Sequence, residues 1–167
     1  MQFEGNDITV NGVNTRYYEA GQPHKRAMLL LHGGFGAAQF HWAGVLEHFY
    51  EYYIIAPDLP GYGGSDPLPK MSIDALVDWA HSLLEQLGLD DVVVIGNSFG
   101  GLIARLLSAQ YDRDVYVVVL VNGGVIPDIT PVARFIARLP VIGQNLFKRI
   151  ARRMVSKNEM TLAIQDE

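Results

Sequence analysis

The chain has 167 residues, 49% of them hydrophobic, which is enough for one globular domain with a sizeable core. Its 13 basic and 18 acidic side chains are scattered, so the net charge of −5 offers no basic footprint for nucleic acid, and the lack of cysteine excludes disulfides, thiol catalysis and cysteine-held metals. Met1 to Asp7 shows neither a basic nor an apolar leader pattern, and no apolar run reaches membrane-spanning length, so a cytoplasmic protein is expected.

Ile8 to Val10 and Val13 to Tyr18 flank Asn11-Gly12, which predicts an antiparallel hairpin. Ala27 to Leu31 is a short, continuous apolar run, the pattern of a strand buried on both faces, and it delivers His32-Gly33-Gly34-Phe35-Gly36 at its end. Trp42, Val45, Leu46 and Phe49 recur at helical spacing, and Tyr52 to Ala56 reads as the next strand. Pro57 to Pro67 is a loop rich in glycine, proline and aspartate. Ser72 then caps a helix with Ile73, Leu76, Ala80, Leu83, Leu84 and Leu87 on one face, ended by Gly88.

Val92 to Ile95 is a β-branched run entering Gly96-Asn97-Ser98-Phe99-Gly100-Gly101, and an apolar, helix-compatible segment leaves it, reaching about Tyr111. Turning from strand to helix at one residue strains that residue and brings backbone close on either side, where Gly96 and Gly100 have no Cβ to clash. The Ser98 hydroxyl is then left proud of the sheet beside the free N–H groups of a helix start, an arrangement for attack on a carbonyl. The plainer alternative is a strand-to-helix turn with Ser98 as an ordinary N-cap. Val115 to Val121 forms a further strand.

Strand and helix alternate at a rhythm that predicts a mostly parallel sheet flanked by helices. Ligands of such sheets bind beyond the carboxyl ends of the strands. His32-Gly33-Gly34, Asp58 to Asp66, Ser98 and Asn122-Gly123-Gly124 all lie at such ends. After residue 124 the composition changes: Pro127, Pro131 and Pro140 break the chain, and two short amphipathic helices are predicted over Val132–Leu139 and Gln144–Val155. The second exposes Lys148, Arg149, Arg152 and Arg153; a helix laid over the site is preferred to a membrane-surface helix. The organisation expected is a core over 1–124 and the start of a helical cap or lid over 125–167.

Three motifs in register, His32-Gly33-Gly34 after a strand, Asp58-Leu59-Pro60-Gly61-Tyr62-Gly63-Gly64-Ser65-Asp66, and Gly96-Asn97-Ser98-Phe99-Gly100-Gly101, make the sequence resemble the α/β-hydrolase fold family over about Gly5 to Gly124. The resemblance implies the first six strands of that core, Ser98 as nucleophile, and the backbone N–H groups of Gly34 and Phe99 as an oxyanion hole. It implies supporting roles for His32, Gly33, Gly96, Asn97 and Gly100. His32 is expected to orient its loop by hydrogen bonds, and the aspartates of the 58–66 loop to cap local N–H groups. No cofactor and no metal is implied, and the ligand is a small-molecule substrate, with no nucleic acid and no membrane.

The family's triad runs serine, acid, histidine in chain order. Here no histidine follows His81, and Asn122 stands where some members carry the acid. His24, His41, His48 and His81 are expected at the surface. The expectation is an N-terminal fragment of a longer enzyme, a truncated product, or a protein that has abandoned the chemistry. In the enzyme reading, an ester, amide or C–C bond of a small apolar substrate is cleaved through an acyl-enzyme on Ser98. Phe35, Phe40, Trp42, Tyr62 and Phe99 are candidates to line its pocket, although aromatic residues at such positions are more often core. The alternative is a non-catalytic binding or interaction protein on the same fold. Val115 to Val121 would present an apolar sheet edge through which the chain self-associates. Dinucleotide binding is the weaker rival, since reading Gly34-x-Gly36 as its fingerprint puts Gln39 where glycine or alanine is needed.

Overall fold

Asn11 and Gly12 take φ values of 51° and 78°, the left-handed pair that a tight hairpin turn requires. They join β1 (Glu4–Val10) to β2 (Val13–Ala20) in an antiparallel ladder from Val10↔Val13 to Glu4↔Glu19. The structure, a computed structural model, describes residues 3–123. The further strands are β3 (Ala27–Leu31), β4 (Tyr53–Pro57), β5 (Val92–Asn97) and β6 (Val115–Val121). One six-stranded sheet results, in the order β1-β2-β4-β3-β5-β6, antiparallel as far as β4 and parallel from β4 to β6.

Alternation along the inner strands sorts their side chains onto two faces. Leu29, Leu31, Ile55, Val92 and Val94 pack with helices α2 (Ile73–Leu87) and α3 (Phe99–Gln110). Met28, Leu30, Ile54, Ala56, Val93 and Ile95 pack on the opposite face with Trp42 and Leu46. The chain is therefore an α/β protein with a mostly parallel sheet covered on both sides. Both faces are buried, which is why β3 and β5 read as unbroken apolar runs.

Helix α2 begins and ends as its sequence dictates: Ser72 Oγ accepts from Ala75 N, and Gly88 closes the helix at φ 66°. Its buried face also includes Trp79, fully enclosed, whose indole donates to Thr15 Oγ1 at 3.1 Å and fastens the helix to β2. The single helix expected around Trp42 to Phe49 is two pieces. A short helix α1 (Ala38–Trp42) is followed by 3₁₀ structure over Ala43–Phe49. Gly44, a weak helix former inside that stretch, and Ala37, which supplies no side-chain cap, account for the difference.

Among the described residues β6 pairs with β5 alone, and Tyr116, Val117, Val119 and Leu120 are exposed on it. No helix among them is long and apolar enough to cross a membrane. The two helices expected over 132–139 and 144–155, and with them the 125–167 cap, lie outside the described residues.

Candidate active site

The turn between β5 and α3 is strained at one residue. Ser98 sits at φ 51°, ψ −107°, a conformation side chains rarely adopt, and it occupies the N-cap position of α3 without making a side-chain cap bond. The plain N-cap reading of Ser98 therefore does not describe it. Its N–H donates to Val121 O at 2.8 Å, tying the turn to the end of β6, and the residue is exposed. The strain is tolerated because backbone packs directly on backbone. A Cβ on Gly96 would lie 2.4 Å from Gly100 O, and one on Gly100 would lie 2.2 Å from Leu31 O and 2.5 Å from His32 O. No side chain fits in either gap, so α3 starts pressed against the end of β3.

The β3–α1 loop is built on two buried polar side chains. His32, with no exposed surface, accepts from Leu59 N through Nε2 at 2.9 Å, which leaves the ring proton on Nδ1 to donate to Gly33 O at 2.7 Å. Burial pushes the His32 imidazole below its ordinary value, opposed by the bond to Gly33, which favours the protonated ring. Asp58, almost wholly buried, accepts from Ala38 N at 2.7 Å and from Gly64 N at 2.9 Å, so one carboxylate holds the start of α1 and the glycine-rich loop together. Ser65 Oγ donates to Asp58 O and accepts from Arg16 N, fastening the same loop to β2. A Cβ on Gly34 would lie 3.8 Å from Phe99 Cβ and 4.0 Å from Tyr62 Oη, so Gly34 faces the residue after Ser98 with room for a methyl group between them.

Two of the histidines expected at the surface are elsewhere. His24 and His48 are exposed, but His41 is half-buried in the site. Its Nε2–H donates to Phe35 O, and Nδ1 accepts from Asn97 Nδ2 at 3.1 Å; Asn97 Oδ1 in turn accepts from Asn122 Nδ2 at 3.2 Å. The ring stacks 5.6 Å from His32, and a Cβ on Gly33 would come within 3.2 Å of it. His81 is also half-buried: it is stacked on Tyr111 at 3.7 Å, with Nδ1 2.9 Å from an Asp114 carboxylate oxygen. Trp42 is also not a pocket residue, because it is buried with Leu46 and Ile54 beneath the sheet, whereas Phe35 and Phe40 are exposed. No group of side chains able to hold a metal ion occurs among the described residues.

The family model for the alpha/beta hydrolase fold matches residues 26–162. The chain belongs to the α/β-hydrolase fold family. Among curated relatives, Epoxide hydrolase 4 of Mus musculus is 36% identical over 119 residues, covering 69% of this chain and 33% of that protein. Lipase LipV of Mycobacterium tuberculosis is 39% identical over 87 residues, 52% of this chain and 33% of its own length. A crystal structure of a putative lipase from Acinetobacter baumannii superposes with a TM-score of 0.70 at 27% identity, covering 79% of this chain and 46% of that one. Epoxide Hydrolase A from Mycobacterium thermoresistibile gives 0.66 at 27% identity, with coverages of 71% and 39%. This chain thus spans about a third of the length of the curated relatives it matches.

Two outcomes follow from these contacts. Gly100→Ala, which would gain about 1 kcal/mol in an open helix, is expected instead to lose about 1–3 kcal/mol or more by overpacking against Leu31 O and His32 O; a urea midpoint at or above that of the parent chain would refute the close approach. For His32 the folded ring binds its proton less readily than the unfolded one, whose value is near 6.5. Its contribution to stability is therefore complete above about pH 6.5 and is lost as pH falls from there through the folded value. Urea midpoints measured down the acid side should fall less steeply in His32→Gln than in the parent; equal slopes would show that His32 is not the group responsible.

Proposed function

We propose that this chain carries the nucleophile-bearing core of a serine hydrolase acting on a small, apolar acyl substrate. The observation that carries the reading is the strained, exposed Ser98 at the carboxyl edge of the sheet, followed by Phe99, which faces Gly34. In this reading Ser98 Oγ attacks the carbonyl carbon of an ester, an amide or a ketone flanking a labile C–C bond, and its proton passes to a base. The oxyanion is met by the backbone N–H groups of Phe99 and Gly34. The leaving group departs with a proton, and water cleaves the resulting ester to free the acid and regenerate the hydroxyl.

The relatives' names divide between epoxides and lipids, and bond chemistry favours acyl transfer. A serine that opened an epoxide would become an ether, which water does not cleave at neutral pH, whereas a serine that takes an acyl group becomes an ester, which it does. Exposed Phe35 and Phe40 beside the site support an apolar ligand. A cysteine-free chain is consistent with a cytoplasmic setting.

The base is not among the chain's five histidines as they lie. Both ring nitrogens of His32 and of His41 are engaged, His81 faces Asp114, and His24 and His48 are exposed on other parts of the surface. The reading therefore needs a base from beyond residues 3–123 or from another chain. The second reading, a binding module on this fold, needs none, and the engaged histidines favour it. The exposed apolar stretch of β6 supports a further proposal, pairing with a second chain along that edge.

An added base separates the first two readings. With a fluorophosphonate probe, imidazole should accelerate labelling of the chain, and Ser98→Ala should abolish that labelling; equal labelling of both, or none with imidazole present, leaves the binding module. Light scattering across a concentration series tests the edge: Val119→Lys should lower the mean mass at high concentration, and an unchanged mass would place the contact elsewhere or nowhere.

A further inference from the structure

We infer that His41 is a positioning residue that clamps the β3–α1 loop to the turn at Ser98 and so fixes the gap between Gly34 and Phe99. Its consequence for chemistry rests on the serine-hydrolase reading above, but the clamp itself does not.

The inference stands on the direction of three hydrogen bonds. Asn122 Nδ2 donates to Asn97 Oδ1 at 3.2 Å, Asn97 Nδ2 donates to His41 Nδ1 at 3.1 Å, and His41 Nε2–H donates to Phe35 O. Every donor meets an acceptor, provided the imidazole is neutral with its proton on Nε2. The ring therefore has no nitrogen left for Ser98, which excludes it as the base in this arrangement and leaves it a structural task at the site. Its two partners are well chosen for one. Phe35 follows Gly34, and Asn97 precedes Ser98, with Phe99 next after it. The two segments that carry the proposed oxyanion donors are thus bridged by a single side chain from α1, while even a Cβ added to Gly34 would stand 3.8 Å from Phe99 Cβ.

The bridge falls where the chain turns sharply: Gly36 takes φ 88°, and Phe35 lies exposed between it and Gly34. A donor pair for an oxyanion works only at set distances, and displacement by about 1 Å can cost on the order of a hundredfold in rate. Binding of the Phe35 carbonyl by a ring that is itself held by Asn97 and stacked on His32 places one such constraint on the residue after Gly34.

Two measurements on the full chain test this. In long-range ¹H–¹⁵N spectra of the histidine rings, His41 should show a protonated Nε2 and a bare Nδ1, and Asn97→Ala should erode that preference. A protonated Nδ1 in the parent chain overturns the clamp whatever Ser98 does. In imidazole-assisted fluorophosphonate labelling, His41→Ala should slow the reaction of Ser98 by about 10- to 100-fold. His41→Gln, whose amide can donate to Phe35 O and accept from Asn97, should recover more of the rate than His41→Phe, which only fills the space. The reverse order would mean that His41 acts by packing, and the inference would fall. If Ser98 is not labelled in any variant, the hydrolase reading fails by itself, and the ring spectra still decide the clamp.

Discussion

The first turn of α3 lies directly on the ends of β3 and β5, backbone against backbone, and the rest of the site depends on that contact. Gly96 and Gly100 make it possible, because any Cβ at either position would overlap a main-chain oxygen. The consequence runs outward from there. A helix that starts this close to the sheet leaves one residue to make the whole turn, so Ser98 is held at a strained φ of 51° with its side chain free of capping duty. Strain of this kind costs about 1–3 kcal/mol and persists only where neighbours over-determine it. Here the bond from Ser98 N to Val121 O and the burial of Ile103, Ala104 and Leu107 along α3 do so.

A second layer of constraint is polar. Burying an imidazole and a carboxylate costs free energy unless each is fully bonded. His32 has both nitrogens occupied, and Asp58 accepts from two separate backbone N–H groups. Those bonds join three segments distant in sequence: the loop after β3, the start of α1 and the glycine-rich loop after β4. The site is therefore not a set of side chains placed on a rigid sheet. It is a set of loops stitched to one another beneath the surface, and in the motif around Asp58 both Asp58 and Ser65 spend their side chains on backbone partners.

Much of this was legible in the sequence, for a physical reason. Strands buried on both faces must be apolar throughout, so Ala27–Leu31 declares its limits, and caps at Ser72 and Gly88 do the same for α2; Val115–Val121 is legible as an equally apolar run although it lies exposed beside β5. The Gly-x-Ser-x-Gly spacing is itself a steric statement. What could not be read were contacts set by tertiary geometry alone. His41 and Asn97 are 56 positions apart and belong to no common motif, and nothing in the spacing tells how α1 folds back over the loop before it. Trp42 shares helical spacing with Leu46, and both are buried in the same cluster, so its inward face is legible even though the stretch is only partly α-helical. Trp79 lay one residue off the face counted for α2, although tryptophan seldom sits idle on a helix that packs on a sheet, and that size alone was a signal.

The choice of amides at 97 and 122 has a consequence that carboxylates would not share. An amide both donates and accepts, so a chain of them can carry a direction from the end of β6 through Asn97 to His41. A carboxylate at 122 could only accept. Asn97 would then have to turn its NH₂ towards it, presenting its oxygen to His41 Nδ1, and that nitrogen would need a proton while Nε2 still held its own against Phe35 O. The ring would become cationic in a half-buried position, 5.6 Å from the wholly buried ring of His32. The neutral arrangement avoids that charge, and the end of β6 is thereby tied to the state of a ring two segments away.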